Sequence, residues 1–362
     1  MAKPAVGLGR EKSVRGAEMQ PLVSIVTPVY NGEAFLQECI ESVLNQTYSN
    51  WDYTIIDNCS TDGTLAIAQQ YAAKDRRIRV HRNSRLLSAI QNHNVALRLI
   101  SPDSKYCKVL FGDDWLFPEC LEKMVALAED CPSVGIVGAY ALEGERIAWA
   151  GLPYTSHVVG GREICRRHFL EALYVFGSAN AVLYRADLVR SRDPFYDESN
   201  IHADTEVCFD LLKSNDFGFV HQVLTYTRVR PESLSETTND LGTSFACILR
   251  ILVSHGRDYL NDKEYNPLLT EHISHYYTFL GKSLILRRKR DFWSYHKKVL
   301  IQSGSGFSYS RLVMGALQFI MSAAVNPGNT ARRLLDRGRE SRTHDSIDAN
   351  KTERGKMAIG ES

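Results

Sequence analysis

The chain has 362 residues, room for one large domain or two smaller ones. Its 44% hydrophobic and 23% charged residues exclude a mainly disordered, collagen-like or coiled-coil protein. Lys and Arg number 43 against 42 Asp and Glu, a net charge of +1 that gives no reason to expect a nucleic-acid partner. The balance hides an asymmetry: residues 281–342 carry 13 basic and 3 acidic side chains, a net of +10, so the remainder sums to about −9 (+1 − 10). Residues 1–20 lack the apolar core of a secretory signal and are expected to be a disordered tail. From Leu22 to Tyr30 a β-branched apolar run predicts a buried strand. Phe35, Leu36, Cys39, Ile40, Val43 and Leu44 then recur on one helical face. Tyr53–Asp57 is the next strand, and a polar turn leads to a helix with Ile67, Ala68, Tyr71 and Ala72 inward and Thr61 or Asp62 as its N-cap. Strand Ile78–His81, helix Ser88–Ile100, strand Tyr106–Phe111, helix Pro118–Asp130 and strand Val134–Tyr140 follow. This alternation predicts an α/β fold with an open, mostly parallel sheet flanked by helices.

Beyond Leu241 the pattern turns helical, with Thr243–Arg257, Pro267–Leu286, Asp291–Gln302 and, after a Ser/Gly interruption, Leu312–Val325. Residues 21–240 are therefore expected to form the α/β domain, 241–330 a helical C-terminal extension, and 331–362 a basic, polar and disordered tail. The eight cysteines form no CxxC pair or zinc-finger spacing, which suits reduced thiols and a cytoplasmic setting. No segment reaches 18 consecutive apolar residues, so no span is expected. The basic runs Arg287–Arg290 and Arg332–Arg342, with apolar Leu312–Val325, are a candidate for peripheral contact with the inner face of a membrane.

Open α/β sheets bind ligands beyond the carboxyl ends of their strands. The polar groups there are Asn31, the Asp57–Asp62 turn and Asp113-Asp114. No GxGxxG follows the first strand and no P-loop motif occurs, so a dinucleotide fold or P-loop NTPase loses its main support. Two adjacent carboxylates after a strand suit either a solvated turn, with Asp114 capping the next helix, or a hard cation such as Mg²⁺ or Mn²⁺ on a phosphate substrate.

The context favours the second. Pro28-Val29-Tyr30-Asn31, Ser42-Val43-Leu44-Asn45-Gln46-Thr47-Tyr48 and Asp57-Asn58-Cys59-Ser60-Thr61-Asp62-Gly63-Thr64 resemble the opening of the family-2 glycosyltransferases, inverting enzymes of the GT-A fold. The resemblance continues through Asn94–Leu97, Asp113-Asp114 and His202–Leu212, and ends near Ser235. It implies a nucleotide-diphosphate sugar donor, UDP- or dTDP-sugar favoured, and a saccharide or lipid-linked saccharide acceptor, in surface polysaccharide or glycolipid biosynthesis. By resemblance, Pro28 and Tyr30 line the base and ribose pocket, and Asp57 and Asn58 meet base or ribose. Asn31 and Asn94 join the donor site, and Asp113 contacts ribose or metal. Asp114 is the principal ligand of a divalent Mn²⁺ or Mg²⁺ ion, and Asp204 is the catalytic base, with Glu206 as fallback. Trp149 falls where acceptor-binding segments sit.

Departures from the family pattern sharpen the expectation. Leu86-Leu87 and His93-Asn94 replace a Gly-rich approach and an A-R-N element. Arg228-Val229-Arg230-Pro231-Glu232-Ser233-Leu234-Ser235 replaces R-x-H-x-x-S-x-S, so Arg230 removes a His ligand and adds a permanent cation for the diphosphate, alongside Arg228. A degenerate relative that binds a nucleotide sugar without transferring it, and a sugar nucleotidyltransferase, are the competing readings. Retention of all four aspartates argues against the first, and the missing Gly-rich phosphate loop against the second.

Overall fold

The computed structural model describes residues 20–230, 241–286 and 288–325. The expectations for residues 1–19, Pro231–Ser235, Arg287, Arg332–Arg342 and the C-terminal tail lie outside the described residues.

The first half alternates as expected: β1 (Val23–Val29), α1 (Leu36–Leu44), β2 (Trp51–Asp57), α2 (Thr64–Lys74), β3 (Ile78–Arg82), α3 (Ala89–Arg98) and β4 (Tyr106–Val109). A two-residue β5 (Trp115–Leu116), α4 (Cys120–Asp130) and β6 (Val134–Glu143) follow. β1 is apolar throughout because it is central and covered on both faces, and every one of its residues is buried. α1 turns Leu36, Cys39, Ile40 and Val43 inward, and α3 starts at a Ser88/Gln91 capping box.

The remaining elements are β7 (Arg146–Ala148), β8 (Val158–Val159), α5 (Gly161–Glu171), a 3₁₀ turn η1 (Ala179–Ala181), β9 (Val182–Arg185), α6 (Ala186–Arg190), α7 (Ala203–Leu211) and β10 (Asp216–Thr227). The helices α8 (Thr243–Tyr259), α9 (Asp262–Ile285), α10 (Arg290–Gln302) and α11 (Tyr309–Val325) close the described chain.

The sheet runs β3-β2-β1-β4-β9-β6-β10-β5. β3, β2, β1 and β4 are mutually parallel, but β9 enters antiparallel between β4 and β6. The central sheet is mostly parallel, as expected, with β9 as its antiparallel insertion. The missed strands have weak signatures: β9 has four residues, and β10 breaks its alternation at His221-Gln222, where its register on β6 shifts between Val220 and Val223. Two helix starts also differ. Gly63 rather than Thr61 or Asp62 is the N-cap of α2, although Asp62 still accepts the Thr64 N–H at 3.1 Å. α9 begins at Asp262, ahead of Pro267, because Asn261 and Glu264 form a capping box.

One apolar layer packs α1 and α4 on the sheet. The other packs α3, α5, α7 and the start of the helical region, including Ile251, Leu252 and Tyr265, on the opposite face. Chain order reverses across β1 and β4, since β2 and β3 lie to one side of β1 and β4 to the other. The crevice beyond those two strand ends is where such sheets take ligands.

Candidate active site

At one lip of the crevice the loops after β1 and β2 are tied together. Asn31 sits at φ 48°, a left-handed conformation that Asn tolerates. Its N–H donates to Ser60 Oγ at 3.0 Å, and its Oδ1 accepts the Thr61 N–H at 2.9 Å. Gly32 N–H reaches Thr64 Oγ1 at 2.7 Å. Asn31 is thus placed at the lip as a fastener. Pro28 is buried beneath, and the Tyr30 side chain is 49% exposed.

Asp57, at the end of β2 and level with Val29, is fully buried. Its Oδ1 accepts the Ser60 N–H at 3.2 Å; its Oδ2 lies 3.4 Å from Arg82 Nε but has no hydrogen-bond partner. A buried carboxylate oxygen without a donor is a place for a ligand hydroxyl or N–H.

Two expected donor contacts are corrected. Asn58 gives its amide to the chain: Nδ2 donates to Leu87 O at 2.9 Å, while Oδ1 accepts from Leu87 N–H at 3.0 Å and from Asn83 Nδ2 at 2.9 Å. It clamps the 83–88 segment, a task that needs the donor an aspartate lacks. Asn58→Asp is expected to destabilise the fold by about 1–3 kcal/mol, read as a lower Tm, because Leu87 O loses its donor. Asn94 is likewise buried: Nδ2 donates to Tyr196 O at 2.9 Å and Oδ1 accepts the Tyr196 N–H at 2.8 Å. It fixes the segment leading into α7.

Asp113 and Asp114 follow β4 after Gly112, whose missing side chain lets the turn approach Val29; a Cβ there would lie 2.8 Å from Val29 Cγ2. Asp114 is buried, with Oδ2 accepting from Asn180 Nδ2 at 2.9 Å and Oδ1 from the Arg228 N–H at 2.8 Å. Burial, and then the neighbouring Asp113 charge, push its carboxyl well above the usual carboxylate range. Asp113 is half-buried and meets Arg230 Nη2 at 2.5 Å. Arg230 Nε is buried without a partner. The Arg228 guanidinium bridges Asp113 O, at 3.1 Å, and Glu38, at 2.5 Å.

Among the described residues no three His, Cys, Asp or Glu side chains converge on one point. The donor set nevertheless fits a hard divalent ion. Such an ion takes one or two carboxylates and completes its shell with phosphate oxygens and water. Burial and then the Asp113 charge both disfavour ionisation of Asp114, and a cation at this place would favour it.

Asp204 lies in the first turn of α7. Burial pushes its carboxyl up to about 7, against the backbone N–H groups of Thr205 and Ala179 that pull it down. The Thr205 bond to Oδ1 is 2.8 Å. Glu206 is corrected as a fallback base. Burial is outweighed by His255, 3.8 Å away, and by hydrogen bonds from Asn200 at 2.6 Å and Arg250 at 3.2 Å, which together hold it down at about 2. It anchors α7 to α8. Beside Asp204, the Tyr174 hydroxyl meets Thr205 Oγ1 at 2.9 Å, and the Trp149 ring lies 5.0 Å from the Tyr174 ring.

Sequence reasoning missed two residues that hold these aspartates together. η1 supplies both the Ala179 N–H to Asp204 and the Asn180 side chain to Asp114. Lys108 secures η1 from β4: its ammonium is fully buried and donates to Asn180 O at 2.5 Å and Val182 O at 3.1 Å. Burial lowers its pKa. A lone Lys inside YCKVLF is the signal that could have found it; Asn180 has none. Outer partners of metal ligands typically contribute about 10–100-fold to affinity. Lys108→Met, which keeps the volume, is expected to weaken metal-supported nucleotide binding by that order, measured by titration with and without EDTA.

Sheet order, crevice and carboxylates together define a GT-A nucleotide-sugar transferase fold. Residues 24–190 match the model of Glycosyl transferase family 2, so this part of the chain is similar to the glycosyltransferases of that family. The putative glycosyltransferase EpsE of Bacillus subtilis is 41% identical over 121 residues, 33% of this chain and 42% of that protein. The putative teichuronic acid biosynthesis glycosyltransferase TuaG of the same organism is 38% identical over 106 residues, 29% of this chain and 41% of that protein. Matches to the curated relatives thus span about half their length, from 42% to 58% among the most similar. S. aureus TarS 1-349, solved in complex with UDP, shares the fold at TM-score 0.55 and 18% identity, over 77% of this chain and 79% of that one.

Proposed function

We propose that the chain is an inverting glycosyltransferase that moves a sugar from a nucleotide-diphosphate donor to a hydroxyl acceptor. The observation that carries the reading is the Asp204 carboxyl. It is held at about 7 on α7 and fixed by η1, the same turn that holds Asp114 of the carboxylate pair. A base poised near neutral pH has the driving force for proton transfer and is still ionised often enough to act.

In this reading Tyr30 stacks on the base above Pro28, and the unpartnered Oδ2 of Asp57 accepts from base or ribose. Asp113 and Asp114 would hold Mg²⁺ or Mn²⁺, which would supply positive charge at the diphosphate. The orphan Nε–H of Arg230, with Arg228 beside it, offers further donors to the phosphates. Asp204 takes the acceptor hydroxyl proton while that oxygen bonds to the anomeric carbon. The bond from that carbon to the diphosphate oxygen breaks, and the nucleoside diphosphate leaves with the electron pair. Trp149 and Tyr174 supply aromatic faces for a saccharide acceptor.

UDP- or dTDP-sugars are the favoured donors, supported by the UDP complex of TarS. Polysaccharide synthesis is supported by the teichuronic acid biosynthesis in the name of TuaG, and the cytoplasmic side is the setting that the unpaired cysteines suit. The test is a thermal-shift panel of UDP, dTDP, GDP, ADP and CMP with Mn²⁺, Mg²⁺ or EDTA. At about 100 times its Kd a ligand adds about 2.7 kcal/mol, enough for a rise of several degrees. A metal-dependent rise with one diphosphate is expected. A panel without any rise would overturn donor binding, and a rise without turnover on any acceptor would favour the non-transferring relative.

A further inference from the structure

The C-terminal helix α11 is apolar on two faces, and only one is covered. Leu312, Gly315, Ala316 and Phe319 face α9, where the two helices cross so closely that a Cβ on Gly315 would lie 2.2 Å from Tyr277 O. Gly281 makes the reciprocal approach to the α11 backbone. That crossing fixes which face turns outward. The outward face carries Tyr309, Val313, Met314, Leu317, Ile320 and Met321, each 49–69% exposed. A run of exposed large apolar side chains on one element marks a docking surface.

Charge identifies what docks. The only charged residue of α11 is Arg311, and no Asp or Glu occurs in the sequence between Asp291 and Asp336. Cations flank the helix: Arg311 lies 5.9 Å from the Tyr277 ring, Lys297 Nζ 5.7 Å from the Tyr309 ring, and Lys282 Nζ 6.0 Å from the Phe319 ring. Lys297 and Arg311 have no carboxylate within ion-pair distance among the described residues. A groove between α9 and α11 opens beside Met314, with Arg311 and Ser274 among its walls. No described helix is long and apolar enough to cross a membrane, so α11 has the character of a helix that lies in an interface. A second copy docking through the same patch would bring like charges together, which is costly. An anionic lipid surface meets both the apolar stripe and its basic flanks.

We propose that α11, with Lys282, Lys297 and Arg311, docks this chain on an anionic membrane surface. Apolar side chains enter the headgroup boundary, and the flanking cations meet lipid phosphates.

The test is co-sedimentation of the full chain with vesicles of phosphatidylglycerol and phosphatidylcholine in equal parts, and with vesicles of phosphatidylcholine alone. Binding to the mixed vesicles only, weakened by salt, is expected. The double variant Leu317→Asp/Met321→Asp should lose it. Lys297→Glu/Arg311→Glu should weaken it by at least about fivefold per cation. Both changes are at the surface, so the Tm and the nucleotide-induced thermal shift stay at parent values, which separates this proposal from the donor-site reading. A chain left in the supernatant with the mixed vesicles would overturn it. So would vesicle binding that survives both double variants, or a concentration-dependent dimer broken by Leu317→Asp in a protein that binds no vesicles.

Discussion

Asp204→Asn is expected to lower turnover by about 10²–10⁴-fold, the usual contribution of a positioned general base, while donor affinity stays at its parent value. The amide keeps the shape of the carboxylate, and its oxygen can still accept the Thr205 N–H, but it cannot take a proton. Steady-state turnover and nucleotide titration separate the two effects, and near-parent turnover would remove Asp204 from the reaction. In the parent protein the rate is expected to rise with pH through about 7, since only the ionised carboxyl acts as base. The same shift has a consequence for stability. The folded carboxyl, at about 7, sits above its ordinary value of 3.8, so the folded state binds the proton more tightly than the unfolded state. Ionisation therefore costs stability: the penalty is absent below about pH 4, grows towards pH 7 and is complete above it. Asp204→Asn removes the penalty, so the inactive variant should melt higher than the parent at pH 8 and level with it at pH 4. A lower Tm at pH 8 would show that burial does not strain this carboxyl.

The part of the site legible in the sequence is the part made by local structure. Tyr30, Asn31, Asp113 and Asp114 follow, and Asp57 ends, a strand whose apolar run is unmistakable, so the crevice was marked before any contact was known. What was illegible depends on long-range pairing. Asn58 and Asn94 looked like ligand contacts because an amide has the same donors and acceptors for a base as for a peptide. Only the placement of Leu87 and Tyr196 opposite them shows that the backbone takes both. Asn180 reaches Asp114 across 66 residues of sequence, and η1 carries no periodicity to announce it. β9 enters the sheet antiparallel because Lys108–Leu183 and Gly138–Val182 pairing places it between β4 and β6, a topological choice that four residues cannot encode alone. Glu206 and Asp204 lie two positions apart on one helix, yet one is held near 2 by its partners and the other lifted to about 7 by burial. Sequence proximity could not separate them; the approach of Arg250 from α8 does.

Asp114→Asn and Asp114→Ala are expected to abolish the EDTA-sensitive part of nucleotide-diphosphate binding, a loss exceeding the about 10–100-fold that outer partners contribute. The two variants divide charge from shape. Asn keeps an oxygen for the Arg228 N–H, now 2.8 Å from Oδ1, whereas Ala leaves both that N–H and the Asn180 amide without an acceptor in a buried place. Each stranded group costs about 1–3 kcal/mol, so the Ala variant should also melt several degrees lower. The Asn variant strands only the Asn180 amide, so it should lose less. Burial and then Asp113 hold the Asp114 carboxyl well above its ordinary range, so its ionisation, like that of Asp204, works against the fold as pH rises. Removing the charge relieves that cost, so any Tm deficit of Asp114→Asn should shrink as pH rises towards 8, and the variant should fail to respond to Mn²⁺ or Mg²⁺. Equal nucleotide affinity with and without EDTA in the parent and in Asp114→Asn would show that Asp114 is no metal ligand. Arg228 and Arg230 would then be the cations left to meet the diphosphate.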